Sequence, residues 1–591
     1  MRRFWRFARS YWSGASRWEA LGLTAATVLA SLFQLLLLLR LNHWLRDFFD
    51  TLEAHDRSHL LGHAMSFLVI VVAIMVVGAW QIHARMSWQL SMRRWLTAQL
   101  IERWLAPGRH YLLRFHDRRQ DDPDYRIAED ARLVTEATID LAIGLFNSAL
   151  AIVLFVGVLW NLSGLIHLSV AGSQLIIPGY LVFVALAYAG CGSLLTYLVG
   201  RPMVRINELR HSREGDFRVQ LVRVNENSEG IAFLRGEGDE RRGLERNFTE
   251  LANSWLALIA RQRWLTLLTT GYSTLAPVVP LLAATPAFLA GDITLGGIMQ
   301  AAAAFVQIQI ALGFFVDNFA RISDWRAGIN RMLAMLDVLA DIDEQYRVTD
   351  EATIDVIESP DNALRFVDVH LDGPDGVAVI DQATAEIMPG ERVLVIGKSG
   401  AGKTTLVRAA AGLWPWGTGR IELPRALRIA FMPERPYFPA GSLRMALVYP
   451  DAPDSYTSEQ LSTALERCGL SSLAKRLDEH ERWNQALPMR EQQLLGFTRL
   501  LVHKPDCVFM DEATTALDET ALGVVMSLFR DELKATTLVS VDHRPGLEAF
   551  HDRTLTLTVS AGGGRLGRER DKAAAGDDLG VIARLRRLFR P

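Results

Sequence analysis

The stretch GKSGAGKT at residues 397–404 combines residue types and spacing that suit the binding of phosphate groups. It fits the pattern GxxxxGK[ST], and it lies between the strand-like run RVLVI and the helix-like run KTTLVRAAAGL. Glycines allow the backbone to turn its amide groups towards phosphate oxygens, and the start of the following helix adds positive potential. The Lys403 ammonium can neutralise the outer phosphates, and the Thr404 hydroxyl can ligate magnesium. The stretch therefore predicts a nucleotide site.

A second chemical signal is the run CVFMDE, in which four apolar residues precede Asp511 and Glu512. An acid pair alone would more often cap a helix, but this pair lies downstream of the phosphate-binding stretch and is followed by TTALD. As the end of a buried strand, it would place Asp511 beside magnesium and Glu512 where it could polarise an attacking water. His543 lies in LVSVDHR, after the next β-rich run. It follows the acid pair in the sequence, which is the order expected of a residue that contacts a γ-phosphate.

The rest of the chain is expected to include membrane segments. Half of the 591 residues are hydrophobic, which is more than is usual for a soluble protein of this size. The formal net charge of −3 gives no sign of a nucleic-acid partner, and the three scattered cysteines give no disulfide framework or zinc site. Segments without Asp, Glu, Lys or Arg are long enough to cross a bilayer as helices. The six segments are residues 20–39, 64–81, 141–162, 175–200, 264–290 and 293–316.

The charges of the loops predict how these segments are oriented. The N-terminus, residues 83–138 and residues 201–263 are rich in arginine, whereas the three intervening loops are not. Arginine-rich loops stay on the cytoplasmic side, so both termini are predicted to be cytoplasmic. The basic start is not expected to be a cleaved signal peptide, because the apolar run after it is too long and lacks a small-residue cleavage site.

Changes of sequence pattern predict the domain boundaries. Residues 1–343 are expected to form a transmembrane domain with cytoplasmic helical extensions, and residues 344–360 a linker. From 361 to 560, short β-branched runs alternate with helical stretches, which is typical of a mostly parallel sheet flanked by helices. Residues 561–591 are expected to be a flexible tail with a short basic amphipathic helix, which could touch anionic lipid or dock loosely.

Together these features resemble an ATP-binding cassette (ABC) half-transporter with the exporter-type membrane fold. DDPDYRIAED, EGDFRVQLVRVNENSEGIAFLRGE, GLWPWGTGRI and MPERPYFPAGSLR look like stretches shared by two related groups. One is a bacterial group linked to uptake of cobalamin and antimicrobial peptides and related to the SbmA/BacA permeases. The other comprises the peroxisomal fatty-acyl-CoA half-transporters. The positive N-terminus and the lack of a long targeting extension favour the bacterial group, and hence the bacterial inner membrane.

The resemblance implies roles for individual residues. Glu512 would be the catalytic carboxylate, His543 the switch histidine and Asp518 the D-loop acid. Glu434 stands where the family has a magnesium-sensing glutamine, so Mg²⁺ would be held by Thr404, Glu434 and Asp511. The phosphates of ATP would be bound by Gly397, Lys398, Ser399, Gly400, Ala401, Gly402, Lys403, Thr404 and Thr405.

The run LPMREQQ departs from the family pattern LSxGEQQR, in which a serine and glycines bind the γ-phosphate held by a second subunit. Pro488 has neither a hydroxyl nor an amide hydrogen, and Met489 adds bulk. Arg490 also adds bulk, although its guanidinium, next to Glu491, could still reach a phosphate. The site completed for a second subunit is therefore expected to be degenerate. The sequence is compatible with a homodimer that turns over ATP slowly and with a heterodimer whose partner supplies an intact signature.

The predicted function is ATP-driven transport of a bulky solute such as a peptide, a cobalamin-like molecule or an acyl compound. Gln300, Gln307 and Asn147 could line the solute path, although amides also hold membrane helices together. The alternative is a nucleotide-gated membrane regulator with little ATPase activity. Neither the cargo nor the direction of transport follows from the sequence.

Overall fold

The computed structural model describes residues 2–14, 16–116, 123–163, 165–170, 173–347, 354–424, 428–560 and 563–570. The chain divides into two compact units. The first consists of residues 1–104 and 122–337, and the second of residues 105–121 and 338–591. The second unit therefore takes in part of the arginine-rich segment 83–138.

The first 347 residues are mostly helical. In chain order the helices are α1 (Arg2–Ser13), α2 (Arg17–Glu53), α3 (Leu60–Trp104), α4 (Arg109–His116), α5 (Pro123–Tyr125), a π-helical turn (Arg126–Asp130), α6 (Ala131–Leu162), α7 (Tyr180–Glu226), α8 (Ser228–Leu234), α9 (Glu237–Leu275), α10 (Val278–Leu289), α11 (Leu295–Asp317) and α12 (Phe319–Arg347). Among the described residues, six helical stretches are long and apolar enough to cross a membrane. The six predicted segments are thus confirmed as helical spans, with changes at two of them.

The fourth segment begins later than predicted. A hairpin of strands β1 (Leu165–Val170) and β2 (Ser173–Pro178) covers what was expected to be its first residues. Gly179 follows at φ +67, where a Cβ atom would lie 2.5 Å from the Trp160 ring, and α7 starts at the next residue. The expectation of a span from residue 175 was wrong because the apolar strand SQLIIP runs directly into an apolar helix.

The fifth segment is interrupted. Helix α9 ends at Leu275, and α10 begins at Val278. Pro277 lies between them, and proline cannot donate the backbone hydrogen bond that would continue α9. The predicted segment 264–290 is therefore two helices in succession.

Ion pairs join the membrane helices beyond their apolar stretches. Asp130 is 1% exposed and accepts from Arg331 on α12 at 3.0 Å and from Arg126 at 3.1 Å. Asp140 on α6 pairs with Arg85 on α3 at 3.6 Å and with Arg321 on α12. Because an unpaired buried carboxylate would be costly, these arginines fix α12 against α6 and α3.

The second unit contains a ten-stranded mixed sheet. Its strands are β3 (Ile354–Ser359), β4 (Leu364–Asp372), β5 (Ala378–Ile387), β6 (Arg392–Gly397), β7 (Gly417–Pro424), β8 (Ile429–Met432), β11 (Cys507–Asp511), β12 (Thr537–Val541), β13 (Arg553–Ser560) and β14 (Gly563–Arg570). The spatial order is β3-β7-β4-β5-β14-β13-β6-β12-β11-β8. A separate short pair is formed by β9 (Gly441–Ser442) and β10 (His480–Glu481).

The central strands β6, β12, β11 and β8 are parallel, as the β-rich runs predicted. The side chains of β12 are all buried, which is typical of a parallel strand covered on both faces. The flanking helices are α13 (Lys403–Ala410), α14 (Leu443–Val448), α15 (Ser458–Arg467), α16 (Trp483–Ala486), α17 (Met489–His503) and α18 (Glu519–Leu528). A helical membrane domain followed by an α/β domain with a phosphate-binding loop is the predicted fold class, and it is confirmed.

Two strands lie outside the predicted boundaries of this domain. β3 lies in the expected linker 344–360 and pairs in parallel with β7, with Ile354 opposite Gly419. β14 lies in the expected tail 561–591 and pairs with β13, with Leu566 opposite Leu557. Each of these strands depends on a pairing partner rather than on a strong local pattern. The predicted basic helix of the tail lies outside the described residues.

Candidate nucleotide site

The phosphate-binding loop joins β6 to α13, as predicted. Gly400 and Gly402 have φ angles of +81 and +95, and a Cβ atom on Gly402 would lie 2.8 Å from the Ile380 side chain. The loop therefore requires glycine at that position. Lys403 is 6% exposed, and its Nζ donates to the carbonyl oxygens of Gly397 at 2.9 Å and Lys398 at 3.1 Å. Its ammonium group thus lies inside the loop, at the N-terminus of α13.

Thr404 and Asp511 lie next to each other. In the parallel part of the sheet β6 and β11 flank β12, so their carboxyl ends meet at one edge. The Thr404 hydroxyl donates to Asp511 Oδ1 at 3.1 Å. Burial raises the pKa of Asp511 above its ordinary value, so a nearby cation would stabilise its charged form. A hydroxyl and a carboxylate are the oxygen ligands that Mg²⁺ prefers, and the pair fits such an ion.

Glu512 lies immediately beyond β11 in a strained backbone conformation. Its φ is +50, a region that a residue with a side chain seldom adopts. Its amide donates to the Val541 carbonyl at 2.8 Å, which holds this conformation in place. The carboxylate lies 3.5 Å from His543 Nδ1. The two residues predicted to be catalytic are therefore brought together, and strain of this kind is often found at active sites.

Asp542 fixes His543, and the sequence reasoning missed it. Its side chain is 3% exposed, and Oδ1 accepts from the backbone amides of His543 at 2.7 Å and Arg544 at 3.0 Å. Oδ2 accepts from the Thr514 hydroxyl at 2.7 Å. Asp542 therefore ties the turn that carries His543 to the segment after the acid pair. The sequence feature that could have identified Asp542 is its position directly after a β-rich run, which it shares with Asp511.

Leaving the buried donors of His543 and Thr514 without an acceptor costs about 1 to 3 kcal/mol, so Asp542→Ala is expected to lower ATP turnover roughly 5- to 150-fold if that cost is expressed in the transition state. Asp542→Asn keeps one acceptor oxygen and the side-chain volume, so its rate should lie between those of alanine and the parent. Phosphate release by the purified chain in lipid gives kcat and KM. Asp454→Ala, at an exposed acid in the same unit, is the control. An alanine variant with the parent kcat per folded molecule would contradict this positioning role.

Gln493 is a second residue that sequence reasoning passed over. It is 0% exposed on α17, and its amide group donates to the Glu434 carbonyl at 3.0 Å and to Thr515 Oγ1 at 3.1 Å. Its oxygen accepts from the Ala516 amide at 3.0 Å. Gln493 thus joins the loop after β8 to the segment that follows the acid pair.

Glu434, a predicted magnesium ligand, is held in that loop by its backbone. Its side chain is exposed, and within the described parts of the chain it makes no hydrogen bond to Thr404 or Asp511. The structure therefore brings together two of the three predicted metal ligands.

The degenerate run at 487–493 forms the start of α17. Pro488 caps the helix with φ −57 and ψ 153 and makes no side-chain capping bond. Arg490 Nε donates to Asp518 Oδ2 at 3.1 Å, and both side chains are about half exposed. Glu491 lies in the first turn of the helix, where a negative charge is favourable. The Arg490 guanidinium is therefore engaged by an acid of its own chain.

Asp518 has two roles in this arrangement. Its other oxygen, Oδ1, accepts from the Ala521 amide at 2.7 Å and so caps α18. This backbone bond, followed by the charge of Arg490, lowers the pKa of Asp518. The carboxylate is thus a fixed anion that links the starts of α17 and α18.

The predicted solute-path residues lie on packed membrane helices. Gln300 on α11 is 2% exposed, and its backbone carbonyl accepts from Asn42 Nδ2 at 3.0 Å. The side-chain oxygens of Gln300, Asn42 and Asn147 have no hydrogen-bond partner among the residues that the structure describes. Gln307 is half buried on α11. Unpaired buried acceptors of this kind could serve a polar solute, and the role remains a proposal.

A six-span helical domain joined to an α/β domain with this phosphate-binding loop defines the class of ABC half-transporters. Two family descriptions match the sequence, "ABC transporter transmembrane region 2" at residues 10–289 and "ABC transporter" at residues 380–515. The inner membrane ABC transporter ATP-binding protein YddA of Escherichia coli (strain K12) is 30% identical over 86% of this chain and 88% of its own. The chain belongs to the ABC transporter family.

The chain is also similar to a human protein and to a solved structure. The lysosomal cobalamin transporter ABCD4 of Homo sapiens is 26% identical over 80% of this chain and 81% of its own. A solved structure of a bacterial Atm1-family ABC exporter with ATP bound has a TM-score of 0.74. It covers 96% of this chain and 98% of its own at 17% identity, which is a likeness of fold.

Proposed function

We propose that this half-transporter hydrolyses ATP at the Lys403, Thr404, Asp511, Glu512 and His543 site and uses the energy to move a bulky solute across the membrane. The observation that carries the proposal is the 3.5 Å approach of His543 to Glu512, next to the 3.1 Å contact of Thr404 with Asp511. Glu512 would polarise the attacking water, and His543 would orient that water or contact the terminal phosphate.

Thr404 and Asp511 are the residues that would hold Mg²⁺. The ion would neutralise charge on the outer phosphates of ATP. Lys403 adds a fixed positive charge inside the same loop. Glu434, with its exposed side chain, is not assigned as a ligand in this proposal.

A second half-transporter completes the assembly. Family members build each ATP site between two subunits, and this chain offers Pro488, Met489 and Arg490 to its partner. Two copies of this chain would contain two weakened sites, and a heterodimer would contain one good site if the partner supplied an intact signature. The Arg490 bond to Asp518 adds to the weakness, because the cation would have to leave one anion to reach another.

Helix α4 belongs to the second unit, although it follows α3 of the first unit in the sequence. It arises from the arginine-rich segment 83–138, and its residue Phe115 packs edge-on against Trp414 at 5.8 Å and Trp416 at 5.2 Å between ring centres. These tryptophans follow α13, the helix that begins at Lys403. A movement of α13 on ATP binding would therefore reach α4 through aromatic contacts.

The proposed location is the bacterial inner membrane, with both termini and the ATP domain in the cytoplasm. The arginine-rich segments support this orientation. A cobalamin-like solute is supported by the name of the human relative, a lysosomal cobalamin transporter, and peptides and acyl compounds remain the other candidates.

Lys403→Ala tests the ATP site. Each hydrogen bond to a charged group is worth about 1.5 to 3 kcal/mol, so ATP affinity should fall roughly 10- to 100-fold. The transmembrane helices fold in lipid, whereas Lys403 lies in the ATP domain. The variant should therefore reach the membrane normally. Lys534→Ala, at an exposed lysine of the same unit, is the matched control. Equal nucleotide affinity in Lys403→Ala and parent, measured by titration with a fluorescent ATP analogue, would refute the site.

A further inference from the structure

The first helix, α1, has one face against the protein and the opposite face directed away from it. Phe4, Ala8 and Tyr11 recur at helical spacing and are at most 1% exposed. Arg6 and Arg9 lie on the opposite face and are exposed. A helix with an apolar packed face and a basic outer face is typical of one that lies along a membrane surface.

The packed face fixes where α1 lies. The Tyr11 hydroxyl donates to Ser91 Oγ on α3 at 3.1 Å. The Phe4 ring meets Trp325 on α12 edge-on, with 6.3 Å between ring centres. Both partners lie on long helices beyond the apolar stretches that cross the bilayer. Helix α1 is therefore held against the parts of α3 and α12 that extend beyond their apolar stretches.

Two exposed tryptophans lie in or next to α1. Trp5 is 46% exposed, and Trp18 in the first turn of α2 is 74% exposed. The Arg17 guanidinium lies 5.3 Å from the Trp18 ring centre. Exposed tryptophans beside arginines are enriched where the hydrocarbon core meets the headgroups. The outer face of α1 is thus expected at headgroup depth.

The charges on this outer face favour an anion. Arg3 is paired with Asp337 at 3.1 Å, but Arg6 and Arg9 form no ion pair with any residue in the part of the chain that the structure describes. Glu19 is the only acid in the first 46 residues of the sequence. Two arginine charges therefore remain available to an outside partner.

We propose that Arg6 and Arg9 form a binding site for the headgroup phosphate of an anionic phospholipid, with Trp5 and Trp18 against the upper part of its acyl chains. A guanidinium donates two parallel hydrogen bonds to a phosphate, and its charge is permanent. The anionic lipid provides what a zwitterionic lipid lacks, a net charge opposite to that of the helix. This site is independent of the ATP site and of the proposed transport activity.

The test uses the full chain purified in detergent and mixed with equal amounts of phosphatidylglycerol and phosphatidylcholine. Native mass spectrometry then counts the lipids that each chain retains. The parent should retain phosphatidylglycerol in preference to phosphatidylcholine. Arg6→Gln combined with Arg9→Gln should weaken that retention by about fivefold for each arginine removed, as expected for basic groups at a membrane surface.

Two further variants keep the result interpretable. Arg6→Lys with Arg9→Lys preserves the charge and should retain most of the binding, which separates loss of the site from loss of the fold. Arg241→Gln with Arg242→Gln removes two exposed arginines of α9 and should leave retention unchanged. Equal phosphatidylglycerol retention by the parent and the glutamine variant would overturn the proposal. So would a glutamine variant that retains the lipid but no longer forms dimers, because the arginines would then serve a second copy of the chain.

Discussion

Glu512→Gln is expected to lower ATP turnover by about 100- to 10,000-fold, the range that a positioned general base contributes. The amide cannot accept a proton from water, but it has the same shape and keeps the backbone bond to Val541. ATP binding should therefore persist, so KM should change much less than kcat. Phosphate release by the purified chain in lipid, with nucleotide affinity measured in parallel, separates the two effects.

Glu519→Gln is the matched control for this experiment, because Glu519 is an exposed acid at the start of α18 and forms no ion pair within the described part of the chain. Its rate should equal that of the parent. A Glu512→Gln variant as active as the parent would mean that the carboxylate next to His543 is not the catalytic one. It would also favour the alternative of a nucleotide-gated regulator.

Restoring the family signature is the second prediction with a large effect. In the variant Pro488→Ser, Met489→Gly and Arg490→Gly, a hydroxyl and close backbone amides can again meet the γ-phosphate held by a second subunit. One recovered hydrogen bond to a charged group is worth about 1.5 to 3 kcal/mol, or roughly 10- to 100-fold in rate if it is expressed in the transition state. The gain should disappear when Glu512→Gln is added.

The bond between Arg490 and Asp518 separates two causes of that gain. Asp518→Asn removes the charge but keeps a side chain that caps helices well, so α18 should stay intact. If release of the bond is what matters, Asp518→Asn alone should raise the rate. If the missing hydroxyl and amides matter, only the restored signature should do so. An unchanged or lower rate in the restored protein, with the dimer still formed, would refute this account of the degenerate run.

The residues that the sequence located correctly are those with strong local patterns. Apolar runs near twenty residues marked the spans, and GKSGAGKT between a strand and a helix marked the loop that holds Lys403. The acid pair followed a buried strand, and Asp511 lies next to Thr404 in the structure. For the spans and the phosphate-binding loop, the pattern is carried by residues that are adjacent in the sequence.

The features that were missed depend on contacts between distant segments. β3 pairs with β7, and β14 pairs with β13. Neither β3 nor β14 has a strong sequence pattern of its own, so each depends on its neighbouring strand. The side-chain bonds of Gln493 and Asp542 each join segments more than twenty residues apart, so no local window shows them. Glu434 was predicted to be a magnesium ligand from its position in the family pattern. The conformation of the loop after β8 leaves its side chain exposed.

The most direct test of the central claim is ATP-driven solute movement in inverted membrane vesicles, where the ATP domain would face the medium. Labelled cobalamin, a proline-rich peptide and an acyl-CoA would be followed in both directions, with the parent chain and with Glu512→Gln. We expect at least one solute to move faster with Mg²⁺ and ATP in the parent, and we expect this excess to be lost in Glu512→Gln. Movement that is the same with and without ATP, or the same in both proteins, would contradict it.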